Sequence, residues 1–196
     1  MPHTLFFSWQ SDTPARIGLD LVEEALGLAV LRLAEDAKIE KAIRDEGLMV
    51  DRDTQGVPGV PPIVDTIFDK IDAATIFVPD LTFVGKRIDD RPTPNPNVLV
   101  EYGWALKALR YARIVPVMNL AFGEPTTATM PFDMRHLRHP KCTYNLPEGA
   151  SDEQRRSELA QLVGSLAAEI GEVLRKEGLR TKVERAPFPA AESKDG

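Results

Sequence analysis

The chain has 196 residues, 43% of them apolar and 28% charged, enough to bury one ordinary core and too few for two comfortable ones. Lys and Arg number 24 against 30 Asp and Glu, and the net charge of −6 argues against a dedicated nucleic-acid binder, which carries a basic face. One cysteine, Cys142, excludes an internal disulfide framework and a cysteine-rich zinc site, and with three histidines a histidine metal cage is not expected.

No stretch approaches the roughly 20 mostly apolar residues of a membrane span. The opening MPHTLFFSWQSD lacks the basic start and long apolar run of a signal peptide. The expectation is a cytoplasmic protein in a reducing compartment, with no membrane partner.

Thr4 to Trp9 is an apolar run bounded by polar turn residues and reads as a buried strand. Pro14 opens a helix to about Lys38, with Ile17, Leu21, Ala25 and Leu28 on its apolar face. Leu48 to Val50 is a second strand. Asp51 to Pro62, rich in Gly and Pro, is a loop. A helix follows, with Ile63, Ile67, Phe68 and Ile71 on one side. Thr75 to Val78 is a third strand, and Pro79 to Pro94 reads as irregular.

Asn95 then caps another helix, and Pro96 takes its first position, where a missing N–H costs nothing. Arg113 to Met118 is a fourth strand made difficult by Pro116, and Lys141 to Leu146 is a fifth. Ser151 and Gln154 form a capping box for the last helix, which Gly178 is expected to stop. The expected organisation is one domain over 1–178 and a flexible tail or linker over 179–196.

Strands alternating with helices predict an α/β fold with a parallel sheet covered on both faces. Five strands fit the flavodoxin-like three-layer arrangement, order 2-1-3-4-5, whose ligand site lies beyond the carboxyl ends of the strands at the switch point. That places Ser8, Trp9 and Gln10, then Asp51 to Asp53, then Asp80 to Thr82, and the start of the Asn95 helix near a cleft.

Within that helix, Val98, Tyr102, Ala105 and Leu109 share the core face. Asn97, Glu101, Trp104 and Ala108 form a neighbouring stripe. The stripe is either a polar binding wall or a solvated Glu beside a packed Trp. Asp51, Asp53 and Asp80 either meet a ribose hydroxyl or a cation, or organise their loops through Asx turns. Ser8 either bonds a ligand or packs, and Trp9 either stacks on a ring or packs. His136 and His139, each directly following an arginine (Arg135 and Arg138), either touch a phosphate or partner or lie in a solvated loop. Gly56 to Gly59 lacks the lysine of a P-loop, and no GxSxG, HExxH or CxxC is present.

FFSWQSD, DRDTQGVPGVP, PNPNVLVEYGWA and MPFDMRHLR together resemble a bacterial branch of Toll/interleukin-receptor (TIR) domains, the effector domains of antiphage systems. The resemblance runs from about residue 3 to residue 175, and PNPNVLVEYG is its specific part. It implies a glutamate, mapping to Glu101, that attacks or stabilises the ribosyl carbon of NAD+. The family's opening-strand loop maps to Phe7, Ser8 and Trp9, and its mobile loop to Asp51–Pro61. NAD+ enters as substrate, and no cofactor is implied.

The chemistry is consistent with such a site. Ordinary glycosidases need a second carboxyl group to protonate the leaving oxygen. Nicotinamide leaves NAD+ as a neutral ring, so one ionised carboxylate beside the anomeric carbon suffices. Asn97 is placed to orient a ribose hydroxyl, and Trp104 to stack or exclude water. The expected reaction yields nicotinamide and ADP-ribose, or a cyclic ADP-ribose. The family resemblance further implies activation by homo-oligomerisation and a second-messenger sensor domain or partner outside this chain. Three alternatives stand beside it: a nucleoside 2-deoxyribosyltransferase-like N-glycosidase, a non-catalytic TIR oligomerisation module, and a domain that binds a nucleotide messenger intact.

Overall fold

The computed structural model describes residues 2–53, 62–135, 137 and 140–185, with side chains described as far as residue 176. Most of the expected mobile loop (54–61), the pair His136 and His139, and the end of the tail (186–196) lie outside the described residues.

β1 (His3–Ser8) is a central strand, and its Leu5, Phe6 and Phe7 are buried because helices cover both faces. It pairs in parallel with β2 (Leu48–Arg52) on one side and β3 (Ile76–Pro79) on the other. The alternation of side chains divides the core in two. Leu5, Phe7, Ile76 and Val78 pack with α1 (Leu19–Ala34) and α5 (Asp152–Arg185). Phe6 and Phe77, stacked at 6.2 Å, pack with α3 (Ile63–Ala73) and α4 (Pro96–Ala108). The protein is therefore mixed α/β with a parallel sheet between helices.

The expected single five-stranded ladder does not form. β6 (Val117–Asn119) and β7 (Cys142–Tyr144) make a separate parallel pair, joined to β3 by isolated bridges at Phe77–Ile114 and Asp80–Val117. The cause is chemical. Val115 N donates to Phe77 O, and Leu81 N donates to Val117 O. The rung between them belongs to residue 79, and Pro79 has no N–H to give. Pro116 stands just before β6, so the fourth strand is shorter than its apolar run, and Tyr111–Arg113 turns as a 3₁₀ helix instead.

Other elements depart from expectation for local reasons. The first helix begins as a 3₁₀ turn (Ala15–Ile17), restarts after Gly18 and ends at Ala34, short of Lys38. A short α2 (Lys41–Glu46) follows and ends at Gly47, whose φ of 83° suits glycine. β2 runs to Arg52, so Asp51 lies in the strand and not after it. The stretch after β3 holds an antiparallel hairpin, β4 (Phe83–Lys86) with β5 (Pro92–Pro94), hidden from sequence by its two prolines. Ile63, expected on the apolar side of α3, is exposed.

The capping box forms as expected. Gln154 N donates to Ser151 Oγ at 3.1 Å and Ser151 N to Gln154 Oε1 at 2.9 Å. α5 then passes Gly178 and reaches Arg185. One glycine costs a helix about 1 kcal/mol, and the neighbouring Arg175, Lys176, Glu177, Leu179 and Arg180 are all good helix formers. Among the described residues no helix is long and apolar enough to cross a membrane.

Candidate active site

α4 is fixed at its start by Asn95. Its Oδ1 accepts from Asn97 N at 2.8 Å and Val98 N at 3.3 Å, with Pro96 in the first turn. Val98, Tyr102, Ala105 and Leu109 are buried, as helical spacing requires. With that face locked, Glu101 meets the end of β1. Ser8 Oγ donates to Glu101 Oε2 at 2.6 Å.

The pair lies in the wall of a cavity of about 200 Å³ at the carboxyl end of β1. Phe7, Trp9, Gln10, Asp53, Asn95 and Asn97 contribute to the same wall. Asp53 takes a left-handed φ of 41°, a conformation that Asp tolerates better than most residues. Glu101 is half-buried, and desolvation pushes its carboxyl above the ordinary value while the Ser8 hydrogen bond pulls it back down. Burial is the larger influence, so the net effect is upward, and the Ser8 hydroxyl is the group that favours the ionised form.

Removal of that hydroxyl has a readable consequence. Ser8→Ala is expected to slow any reaction that needs the ionised carboxylate by about 10- to 100-fold, the worth of a hydrogen bond to a charged group. It should also move the acid limb of the pH profile to higher pH, because the downward influence on Glu101 is gone. Ser8→Thr should restore both. A pH profile unchanged in Ser8→Ala would remove Ser8 from this role.

A buried amide shapes the loop after β1. Gln10 Oε1 accepts from Asp12 N at 2.5 Å and Thr13 N at 3.2 Å. Its Nε2 donates to Thr13 Oγ1 at 3.0 Å and Asp80 Oδ2 at 3.4 Å. Asp12 in turn accepts from Asn95 Nδ2 at 2.5 Å. The loop is therefore tied through Asp12 to the cap of α4. Asn95→Ala should cost about 1–2 kcal/mol in thermal or urea unfolding, since it loses the cap and the Asp12 bond together. A loss below a few tenths would show that the cap does not hold α4.

Six sequence-predicted site residues meet here: Phe7, Ser8, Trp9, Asp53, Asn97 and Glu101. Three do not. Asp51 lies in β2, 2.9 Å from Lys70 Nζ, and accepts from Arg52 N at 2.8 Å. Asp80 is buried beneath the loop, where its Oδ1 accepts from Thr82 N at 3.0 Å and burial pushes its carboxyl upward. It organises a turn and does not line the cavity. Trp104 stacks on Phe68 at 4.2 Å and donates from Nε1 to Asp72 at 2.8 Å. It lies about 4.5 Å further along the helix axis than Glu101, and α3 claims it there.

Gln10 and Asn95, expected near the cleft but with no ligand role, line the cavity, and so do Phe6, Ser11 and Ile67. Sequence marks Gln10 only as a polar residue following the first strand and Asn95 only as a cap. Ile67 carries no polar signal at all.

A larger cavity of about 440 Å³ opens at the starts of β6 and β7, between Tyr111, Cys142 and Glu169. Burial pushes the Cys142 thiol up to about 12, so it offers no nucleophile at neutral pH. Among the described residues no group of three His, Cys, Asp or Glu could hold a metal ion.

No family model and no curated protein matches this sequence. Among solved structures, it is similar to the flavodoxin-like domain of a Synechococcus sp. protein, at 10% identity and a TM-score of 0.40, covering 90% of this chain and 99% of that one. It is also similar to a 2-desoxiribosyltransferase from Leishmania mexicana, at 15% identity and a TM-score of 0.38, covering 83% and 98%.

Proposed function

We propose that this protein is a TIR-like NAD+ nucleosidase that cleaves the nicotinamide–ribose bond. The observation that carries the reading is the 2.6 Å Ser8–Glu101 pair in the wall of a cavity at the strand ends. In this reading the two parallel sheets belong to one flavodoxin-like arrangement of order 2-1-3-4-5, which the bridges at Phe77 and Asp80 support.

The C1′–N1 bond breaks with its electron pair moving to the pyridinium nitrogen, and nicotinamide departs neutral. The Glu101 carboxylate faces the positive charge that develops on the ribosyl carbon, or bonds to it. Ser8 engages Oε2 and leaves Oε1 for the sugar. Water then attacks C1′, any bond to Glu101 breaks with its electron pair returning to the carboxylate, one proton passes to solvent, and ADP-ribose is released. A cyclic product forms if an adenine nitrogen attacks in place of water. Asn97, at the rim, is placed for a ribose hydroxyl. The reading includes a cytoplasmic antiphage effector activated by self-association, so activity should rise more than linearly with protein concentration.

The test is incubation of concentrated protein with NAD+ and, in parallel, with deoxynucleosides, followed by separation of the products. Nicotinamide release supports the proposal. Free base from deoxynucleosides with NAD+ intact would replace it by deoxyribosyl transfer. Recovery of every substrate unchanged, at all protein concentrations, would overturn it.

A further inference from the structure

The cavity is too small for a whole dinucleotide. About 200 Å³ falls below the ~300 Å³ at which sites for drug-sized molecules begin, so it takes one end of the ligand and the rest must cross the rim. The charged side chains in its wall, Asp53 and Glu101, are both acidic, and Asp12 stands beside Asn95 at the same edge. A diphosphate leaving this mouth needs a cation to meet it.

Arg52 ends β2, in register with the cavity residue Phe7 on β1, and the next residue, Asp53, lines the cavity. Like that of Phe7, its side chain lies on the α1 face of the sheet, across the strand tips from Glu101 on α4, so a ligand reaches it by passing over the strand ends. Its guanidinium lies 6.0 Å from the centre of the Trp9 ring, another wall residue. Its side chain keeps 21% of its surface exposed. Glu23 Oε1 sits 3.2 Å from Arg52 Nε, but the N–H is not aimed at it and makes no hydrogen bond among the described residues. Lys70, also beside β2, is committed to Asp51 at 2.9 Å. A planar guanidinium presents a fork that matches two phosphate oxygens.

We propose that Arg52, braced on the Trp9 ring and held in reserve by Glu23, binds the diphosphate of a nucleotide whose other end occupies the Ser8–Glu101 cavity. The proposal rests on the NAD+ reading above and adds the residue that selects for the diphosphate. Glu23 gives up Arg52 when the ligand arrives, an exchange of one anion for another at a mostly buried position.

The test compares NAD+ with nicotinamide riboside, which carries the same scissile bond and no diphosphate. Arg52→Ala should raise KM for NAD+ by about 10- to 100-fold, the worth of charge-assisted hydrogen bonds, with kcat little changed. Kinetics with nicotinamide riboside should stay as in the wild type. Arg52→Lys should restore the NAD+ KM only in part, because an ammonium lacks the fork. Glu23→Gln should lower KM for NAD+, a change of opposite sign that stays readable if the Ala variant folds poorly.

An unchanged NAD+ KM in Arg52→Ala overturns the proposal. So does an equal loss on both substrates, which would mean that Arg52 acts only by supporting Trp9. If the wild type cleaves neither substrate, the hydrolytic reading fails by itself. Calorimetric binding of ADP-ribose then decides the role of Arg52. Weaker binding in the Ala variant by the same factor supports it. Equal binding, or none by the wild type, overturns it.

Discussion

Glu101→Gln is expected to reduce NAD+ consumption by at least about 10³-fold, equivalent to about 4 kcal/mol of transition-state stabilisation. The substitution is nearly isosteric. A Gln carbonyl can still accept from Ser8 Oγ, and the buried face of α4 is untouched. What it removes is the negative charge that the proposed reaction sets against the ribosyl carbon. Nicotinamide release, followed by chromatography at matched protein concentration, gives the rate, and circular dichroism checks the fold. Retention of more than a tenth of the activity would show that the carboxylate is not the reacting group.

The same variant carries a second, thermodynamic signature. Burial raises the Glu101 pKa above its ordinary 4.5, so the folded state holds this proton to higher pH than the unfolded state does. Protein stability therefore falls as pH rises from that value through the raised one. Glu101→Gln has no such proton to lose, so its stability should be flatter across that window. Urea titrations at several pH values would show the difference. Parallel curves would mean that the side chain is solvated and not half-buried.

Gln10→Glu should bring the largest loss of stability, about 3 kcal/mol near neutral pH. Gln10 is 4% exposed, and its amide meets four partners. The Oε1 side can be kept by a carboxylate. The Nε2 side cannot, because the new oxygen would face Asp80 Oδ2, itself buried and already pushed upward. Two buried carboxyl groups must then share a proton or repel. Sharing is easy at acid pH, so the penalty should be small there and grow as pH rises. A urea midpoint equal to that of the wild type at neutral pH would show that water reaches this amide.

The helix that carries Glu101 was legible because three independent signals coincide in it. Asn95 and Pro96 mark its start, the spacing of Val98, Tyr102, Ala105 and Leu109 fixes its inner face, and Glu101 follows on the adjacent stripe. Trp104 shares that stripe, yet its partner is Phe68 on a neighbouring helix, a tertiary contact that spacing along one helix does not encode. Asp51 and Asp80 show the same limit. A carboxylate near a strand end reads alike whether it faces a cleft, a lysine or its own loop, and here Lys70 and Thr82 decide. The amide of Gln10 is harder still, because its meaning lies in partners up to 70 positions away. The sheet reads as one longer ladder than it is because an apolar run reveals burial and not whether every rung has a donor, and Pro79 withholds one.

That withheld rung leaves a seam between the two parallel sheets, and α5 lies across it. The helix packs on α1 on one side and on β7 on the other, closely enough that a methyl added at Gly171 would stand 3.1 Å from Leu33 Cδ2. Amide protons on either side of the seam are thus guarded by one common element. In deuterated solvent, the slowest-exchanging amides of Leu5–Phe7 and of Met118 should be released with a single opening free energy, so that the halves behave as one cooperative unit despite their broken ladder.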